Sequence, residues 1–290
     1  MYKYSFIIPH HNTPHDLSIC LRSIPERDDI QVIIVDDNSD DGKKPDIQHS
    51  NTSIIYVDKQ HSKGAGHARN VGLKYAEGEW LLFADADDCY VDGFISIIDN
   101  FSGLSNIDVL YYGFHYVDKQ IGKSLDNQMR ICQLIRDYKG DHQDENEIIY
   151  RNYAPWSKMV RRSFVISNNI YFEEVLNGND LLFSLWIGTK MTSYKIISDP
   201  IYIYYRNNGG LTYGSLSVPA HFCRYVHFVQ LGGFYSKIDK HEWKPQRLRY
   251  LMYVLKKDGF CKFASLVLQI LKAFPHIISS RYELYEITHS

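Results

Sequence analysis

Five short apolar runs within the first 115 residues restrict the fold more than any other feature of this chain. They are Phe6–Ile8, Val32–Val35, Ile54–Val57, Trp80–Ala84 and Val109–Tyr112. Each is rich in branched or aromatic residues and too short for a helix, so they read as strands buried on both faces. Helical patterns lie between them. Leu17, Leu21 and Ile24 are spaced four and three apart after Asp16, and Ala68, Gly72 and Tyr75 share a face of a second helix. Such alternation builds βαβ units and a mostly parallel sheet. Ligands of these sheets bind beyond the C-terminal ends of the strands, so the residues just after each strand carry the functional signal.

Those residues are polar. The first strand ends in Pro9-His10-His11-Asn12, the second in Asp36-Asp37-Asn38-Ser39-Asp40-Asp41-Gly42, the fourth in Asp85-Ala86-Asp87-Asp88. At least four carboxylates thus gather at one sheet edge. Further along, residues 137–147 are polar and read as a loop. Trp156-Ser157-Lys158 precedes a helix near 161–168, and Phe172-Glu173-Glu174 precedes Asn177-Gly178-Asn179-Asp180 and the apolar Leu181-Leu182-Phe183. Residues 201–205 read as a strand ending at Arg206, and 220–235 and 245–275 as helices.

Composition narrows the function. With 44% hydrophobic residues there is enough apolar material for a large core. A net charge of −2 lacks the basic excess of a nucleic-acid binder. Five scattered cysteines read as reduced thiols, not a disulfide framework or a zinc site. No run approaches the ~18 apolar residues of a spanning helix. Ser5-Phe6-Ile7-Ile8 is cut by Pro9 and is too short for a signal sequence, so the expected compartment is the cytoplasm.

Several strand-end residues have the chemistry of a site. Carboxylates two apart after a buried strand suit a hard divalent cation, Mn²⁺ or Mg²⁺; the plainer alternative is a solvated acidic loop. Asp36 and Asp37 can accept hydrogen bonds from a nucleobase or ribose, or simply form an Asx turn. Gly64-Ala65-Gly66 opens a helix but lacks the third glycine of a dinucleotide fingerprint, since position 69 is Arg. That excludes NAD and leaves a turn able to host a phosphate, with Arg69 adding charge. Asp180 is placed to serve as a general base or as an ordinary N-cap.

Four segments together are more specific than any one. Residues 5–12, 32–39, 64–72 and 83–88, in this order and spacing, resemble family 2 glycosyltransferases. The resemblance continues more weakly through Trp156-Ser157-Lys158, Phe172-Glu173-Glu174 and Asn179-Asp180, like the branch that builds bacterial surface polysaccharides. It implies a GT-A fold with a mostly parallel sheet flanked by helices and a C-terminal helical extension. It also implies an inverting, metal-dependent enzyme with a nucleotide-sugar donor, a UDP-hexose or UDP-N-acetylhexosamine. Pro9 and His11 would line the base pocket, where the family often has Tyr at position 11. Asp36 and Asp37 would bind uracil or ribose, and Arg69 would lie near the nucleotide. Asp85 would contact ribose or sugar, Asp87 the metal (Mn²⁺ or Mg²⁺), and Asp88 would support it. Asp180 would be the base, although the family's Glu-Asp is Asn179-Asp180 here. Trp156 and Arg206 would contact the acceptor, a saccharide carried on undecaprenyl diphosphate. No Gln-x-x-Arg-Trp signature of processive synthases is present, which implies transfer of one sugar.

The same reading divides the chain into a nucleotide-sugar half (1–115), an acceptor half (116–215) and a helical region (216–290). Within the last, Leu266, Val267, Ile270, Leu271 and Phe274 recur at helical spacing with Lys256, Lys257, Lys262 and Lys272 around them. That helix would pack on the catalytic domain with its lysines in water, or lie on the cytoplasmic face of the inner membrane. The alternatives to an enzyme are a non-catalytic nucleotide-sugar-binding module and, less well supported by the loop after strand one, a sugar nucleotidyltransferase. Aromatics make up 14% of the chain. Tyr202, Tyr204, Tyr205 and Trp156 fall in the acceptor half, so an open aromatic groove beside Asp180 is expected there.

Overall fold

The computed structural model describes residues 1–47, 51–175, 177–206 and 216–287, with 142, 143 and 274–287 described by backbone alone. The five apolar runs are strands. β1 (Tyr4–His10), β2 (Ile30–Asp37), β3 (Thr52–Val57), β4 (Trp80–Phe83) and the two-residue β5 (Cys89–Tyr90) are followed by β6 (Val109–Asp118), β7 (Lys158–Arg161) and β8 (Tyr194–Arg206). They form one eight-stranded sheet in the order β3-β2-β1-β4-β7-β6-β8-β5. Pairings β1–β2, β1–β4, β2–β3 and β6–β8 are parallel, and those of β5 and β7 antiparallel. This is the mostly parallel sheet that the strand–helix alternation implies. Both sequence halves, 1–115 and 116–215, contribute strands to it. β2 is buried at all eight positions. β3 departs from the expectation, because it is an edge strand and one side of it meets water.

Helices α1 (Pro14–Arg22), α2 (Ala65–Tyr75), α3 (Phe94–Ser102), α4 (Arg130–Asp137), α5 (His142–Arg151), α6 (Arg162–Ser167) and α7 (Leu181–Lys190) connect the strands. The polar stretch read as a loop enters α5. Asp144 and Glu145 sit in its first turn, where the helix dipole favours carboxylates. Ile148 and Ile149 are buried, and Glu147 takes Arg130 at 2.7 and 2.8 Å and Arg151 at 2.6 Å. Polar composition concealed one apolar face.

Contacts divide the chain into two compact units, Met1–Glu174 with Asn179–Asn207, and Val175–Gly178 with Asn208–Ser290. The second holds α8 (Val218–Lys237), α9 (Arg247–Asp258) and α10 (Phe260–Ile287). The apolar stretch 245–275 is two helices rather than one, because Gly259, at φ +87°, breaks it. The core of this unit is Val229, Tyr250, Val254, Leu266 and Ile270. Leu266 and Ile270 therefore pack among the helices of this unit. Phe274 lies outside the residues whose side chains are described.

Candidate active site

The parallel register sets His10 opposite Asp36, so the ends of β1 and β2 emerge together. His10 Nε2 accepts the Thr13 N–H at 3.2 Å, so Nδ1 carries the proton, donated to Asp36 at 2.7 Å. Asp36 also takes the Ser39 hydroxyl and N–H, at 2.5 and 3.2 Å. Its oxygens are thus spent inside the protein. Asp36 is fully buried and holds two loops together; it is not presented to a ligand as the resemblance implied. Asn12 and Asn38 both turn left-handed (φ 59°), a conformation that asparagine tolerates. Asn12 fastens the loops further through Ser39 and Asp40.

Asp37 is different. Its Oδ2 accepts the Gly64 N–H at 2.8 Å, while Oδ1 is buried with no hydrogen-bond partner among the described residues. A buried acceptor left open this way suits a ligand N–H or O–H. Exposed His11, next to Pro9, donates through Nδ1 to the Asp37 carbonyl at 2.9 Å. Its imidazole is thereby oriented beside that acceptor.

The acidic segment after β4 is held from behind. The Asp85 N–H donates to the Tyr202 hydroxyl at 2.9 Å, and that hydroxyl donates to Asp88 at 3.1 Å. The other Asp88 oxygen accepts the Tyr205 N–H at 2.8 Å. Asp88 is buried and does not join its neighbours as a metal ligand; it anchors the loop to β8. Trp156 backs this anchor, stacked on Tyr202 at 4.8 Å and Tyr204 at 5.2 Å, edge-on to Phe114 at 4.8 Å. At 6% exposure it lines no open groove. Trp156 and Tyr202 thus form a buttress, since stacked rings bury each other's faces, whereas Tyr204 and Tyr205 stay partly exposed.

Asp87, like Asp85, stays partly exposed. Burial pushes its pKa up, and Asp85 adds to the shift; Lys119 opposes it. Lys119 donates to the Asp87 carbonyl at 3.1 Å and to Asp16 at 3.0 Å. A lone lysine after an apolar strand gave no local signal, and sequence reading missed it. The Lys119 N–H in turn donates to the Arg206 carbonyl at 3.2 Å, which places Arg206 at the same strand end. Among the described residues no three His, Cys, Asp or Glu side chains gather around a common point. A Mg²⁺-like ion needs only one or two carboxylates when a diphosphate supplies further oxygens. Asp87, partly exposed with Asp85 near it, fits that donor set.

Residues 172–174 and Asn179 lie along α2. Asn70 donates to the Phe172 carbonyl and accepts its N–H, both at 2.9 Å. Lys63 and His67 hold Glu174 at 2.6 and 2.9 Å. Gly66 is closely covered: a Cβ there would lie 2.0 Å from the Glu173 carbonyl oxygen. The glycine-rich turn therefore seats a protein segment where a phosphate was expected. Buried Arg69, over the Phe172 ring, donates to Asp85 at 2.5 Å and Asn179 at 2.7 Å. One guanidinium so brings the acidic loop and the Asp180 segment together.

Asp180 precedes α7, yet its side chain makes no cap hydrogen bond. The capping alternative fails, and the carboxylate is available for other work. Burial raises its pKa; Arg69 and Lys158 oppose this and Asp85 adds to it. Lys158 is fully buried, donating to the carbonyls of Asn152 and Ala154 at 2.7 and 2.6 Å. Burial brings its pKa down to about 7, with Asp180 opposing. Sequence reading singled out Lys158 only as part of a motif.

Comparison with known proteins identifies the family. The model for glycosyl transferase family 2 matches residues 5–166. The chain is 27% identical over 212 residues to the poly(ribitol-phosphate) beta-N-acetylglucosaminyltransferase TarS of Staphylococcus aureus, covering 70% of this chain and 35% of TarS. It is 27% identical over 127 residues to WfgD of Escherichia coli, a UDP-Glc:alpha-D-GlcNAc-diphosphoundecaprenol beta-1,3-glucosyltransferase, covering 42% and 50%. The chain thus spans half or less of the length of these curated relatives. In fold it is similar to residues 1–349 of S. aureus TarS solved with UDP-GlcNAc (TM-score 0.57, 21% identity, 99% of this chain and 91% of that one). It is also similar to the mannosyltransferase PcManGT of Pyrobaculum calidifontis solved with GDP-Man and Mn²⁺ (0.52, 15%, 98% and 84%).

Proposed function

Because the chain belongs to glycosyl transferase family 2, we propose that it moves one sugar from a UDP-sugar to a saccharide hydroxyl, with inversion. The acceptor is a saccharide on undecaprenyl diphosphate, met at the cytoplasmic face of the inner membrane and destined for a surface polysaccharide. The similarity to WfgD supports the lipid-linked acceptor. The open Asp37 oxygen, with His11 bonded to the Asp37 carbonyl, supports a base pocket that Pro9 would help to line.

The observation that carries the reading is the uncapped Asp180 carboxylate, held next to the acidic loop through Asn179, Arg69 and Asp85. Asp180 takes the proton of the acceptor hydroxyl as that oxygen attacks the anomeric carbon. The bond from that carbon to the diphosphate breaks, and the nucleoside diphosphate leaves with the electron pair. A single displacement needs a single base and inverts the anomeric centre. A divalent cation held by Asp87, with Asp85 beside it, would neutralise charge developing on the departing diphosphate. Arg206, at the strand end beside Lys119, would meet the acceptor.

The test is a screen of UDP-, GDP- and dTDP-sugars with Mn²⁺, comparing wild type with Asp180→Asn. Release of nucleoside diphosphate by wild type and its loss in the variant is expected. Equal release by both would sink the assignment of Asp180.

A further inference from the structure

α9 and α10 each pack one stripe into the helical unit, Tyr250 with Val254 and Leu266 with Ile270. At 100° per residue, a helix with a single buried stripe is polar on the opposite side. These two are not. On α9 the side away from Tyr250 and Val254 carries Leu248, 80% exposed, and Met252, 50% exposed. On α10 the corresponding side carries Phe260, Leu268 and Leu271, at 71%, 58% and 64%. Large apolar side chains left in water on two successive helices mark an interaction surface.

Charge selects the partner. Residues 247–273 hold six basic residues, Arg247, Arg249, Lys256, Lys257, Lys262 and Lys272, and one acidic residue, Asp258, within a chain of net charge −2. Asp258 is itself buried, beside His221 at 3.2 Å and Lys262 at 3.8 Å, so it is matched with Lys262 and five basic residues are left to face outward. Arg249 and Lys256 flank the Leu248–Met252 stripe, and Lys272 borders Leu271 on the helix. Tyr253, 5.4 Å from the Lys257 ammonium, is exposed in the same helix, with an aromatic body and a polar tip. Basic residues around an apolar stripe, with aromatics among them, are what an interfacial helix needs to enter an anionic bilayer surface. Among the described residues no helix is long and apolar enough to cross a membrane, so this contact would lie in the plane of the bilayer.

We infer that α9 and α10 form a docking surface for an anionic phospholipid bilayer, inserting Leu248, Met252, Phe260, Leu268 and Leu271 beneath a belt of Arg and Lys. The inference deepens the reading of a lipid-linked acceptor and rests on it for its purpose. Each basic residue that meets such a surface strengthens binding by about fivefold, and each leucine buried in it by about tenfold or more.

The experiment is flotation of the full chain with phosphatidylglycerol vesicles and with phosphatidylcholine vesicles, at low and high salt. Binding to the anionic vesicles alone, released by salt, is expected. Lys256→Glu with Lys257→Glu should weaken it by at least about 25-fold. Leu268→Gln with Leu271→Gln should weaken it by about 100-fold. Both pairs are solvent-facing, and an unchanged far-ultraviolet spectrum would verify folding. The inference is overturned if wild type does not float with either vesicle, or floats equally with both. It is also overturned if the leucine pair converts a dimer to a monomer, since a second copy would then cover the face. Donor hydrolysis, read on the same samples without vesicles, reports separately on the sugar-transfer reading.

Discussion

Asn70 clasps the backbone of Phe172 from both sides, giving a hydrogen to its carbonyl and taking one from its N–H, across 102 residues of sequence. That clasp fixes the segment leading to Asp180 against α2. Asn70→Ala leaves a carbonyl and an N–H without partners, at a cost of about 1–3 kcal/mol. kcat should fall by tenfold or more with donor KM little changed, as steady-state kinetics would read. A change confined to donor KM would argue that Asn70 serves the nucleotide instead.

Gly66→Ala tests the same seat by volume. The added methyl meets the Glu173 carbonyl oxygen and, at 2.8 Å, the Asn179 Cβ, so the segment must move. Overpacking of this kind costs about 1–3 kcal/mol. Because Glu173 is tied through its N–H to the carbonyl of Asn179, the neighbour of Asp180, activity should suffer more than stability. Thermal melting and turnover of the same preparation would check the comparison.

The pH profile of turnover should report Asp180. Burial raises its pKa, so the ionised base is lost as pH falls through a value above the usual ~3.9 for Asp. The acid limb of kcat should accordingly lie above that value. Lys158→Met removes a buried positive charge that holds Asp180 down, so the limb should move to higher pH. Asp180→Asn should lower kcat by about 10²–10⁴-fold. Since an ionised carboxylate with a raised folded pKa costs stability, and no cap bond is lost, the melting temperature should hold or rise.

Tyr202→Phe removes one hydroxyl that accepts from Asp85 and donates to Asp88. Two buried polar groups lose their partner, for about 1–3 kcal/mol. The acidic loop should loosen, and the Mn²⁺ concentration for half-maximal turnover should rise. A metal titration that matches wild type would show that the loop stands without its anchor.

Glu174, held by Lys63 and His67, has its pKa lowered to about 2. Its folded value is depressed, so the pair's contribution is present above the unfolded ~4.3 and disappears as pH falls toward about 2. Lys63 and Glu174 are partly exposed, so solvent screening limits the worth of the pair to about 1 kcal/mol or less. Denaturation of Glu174→Gln against wild type should show a small gap at pH 7 that closes across that window.

Much of this was legible in the residues themselves. Buried strands announce their period as unbroken runs of Val, Ile, Leu and Phe. The carboxylates after β2 and β4 stand where the ligand-binding edge of such a sheet requires them, and the spacing of four segments identified the family. What sequence could not assign was the work of individual members of each segment. Asp36 and Asp37 are adjacent and chemically identical, yet one is consumed by His10 and Ser39 and the other keeps an open oxygen. Asp87 stays partly exposed while Asp88 is buried and held by Tyr202 and Tyr205, more than 110 residues away. Gly66 and Asn70 look like parts of a phosphate turn until Phe172 and Glu173 are seen lying on them. Trp156 looks like a sugar platform until Tyr202 and Tyr204 cover its faces. The division has a physical cause. Strand and helix patterns are local, set by periodicity and by which residues avoid water. The role of a polar or aromatic side chain depends on which partner reaches it first, and only the folded chain brings those partners within about 3 Å.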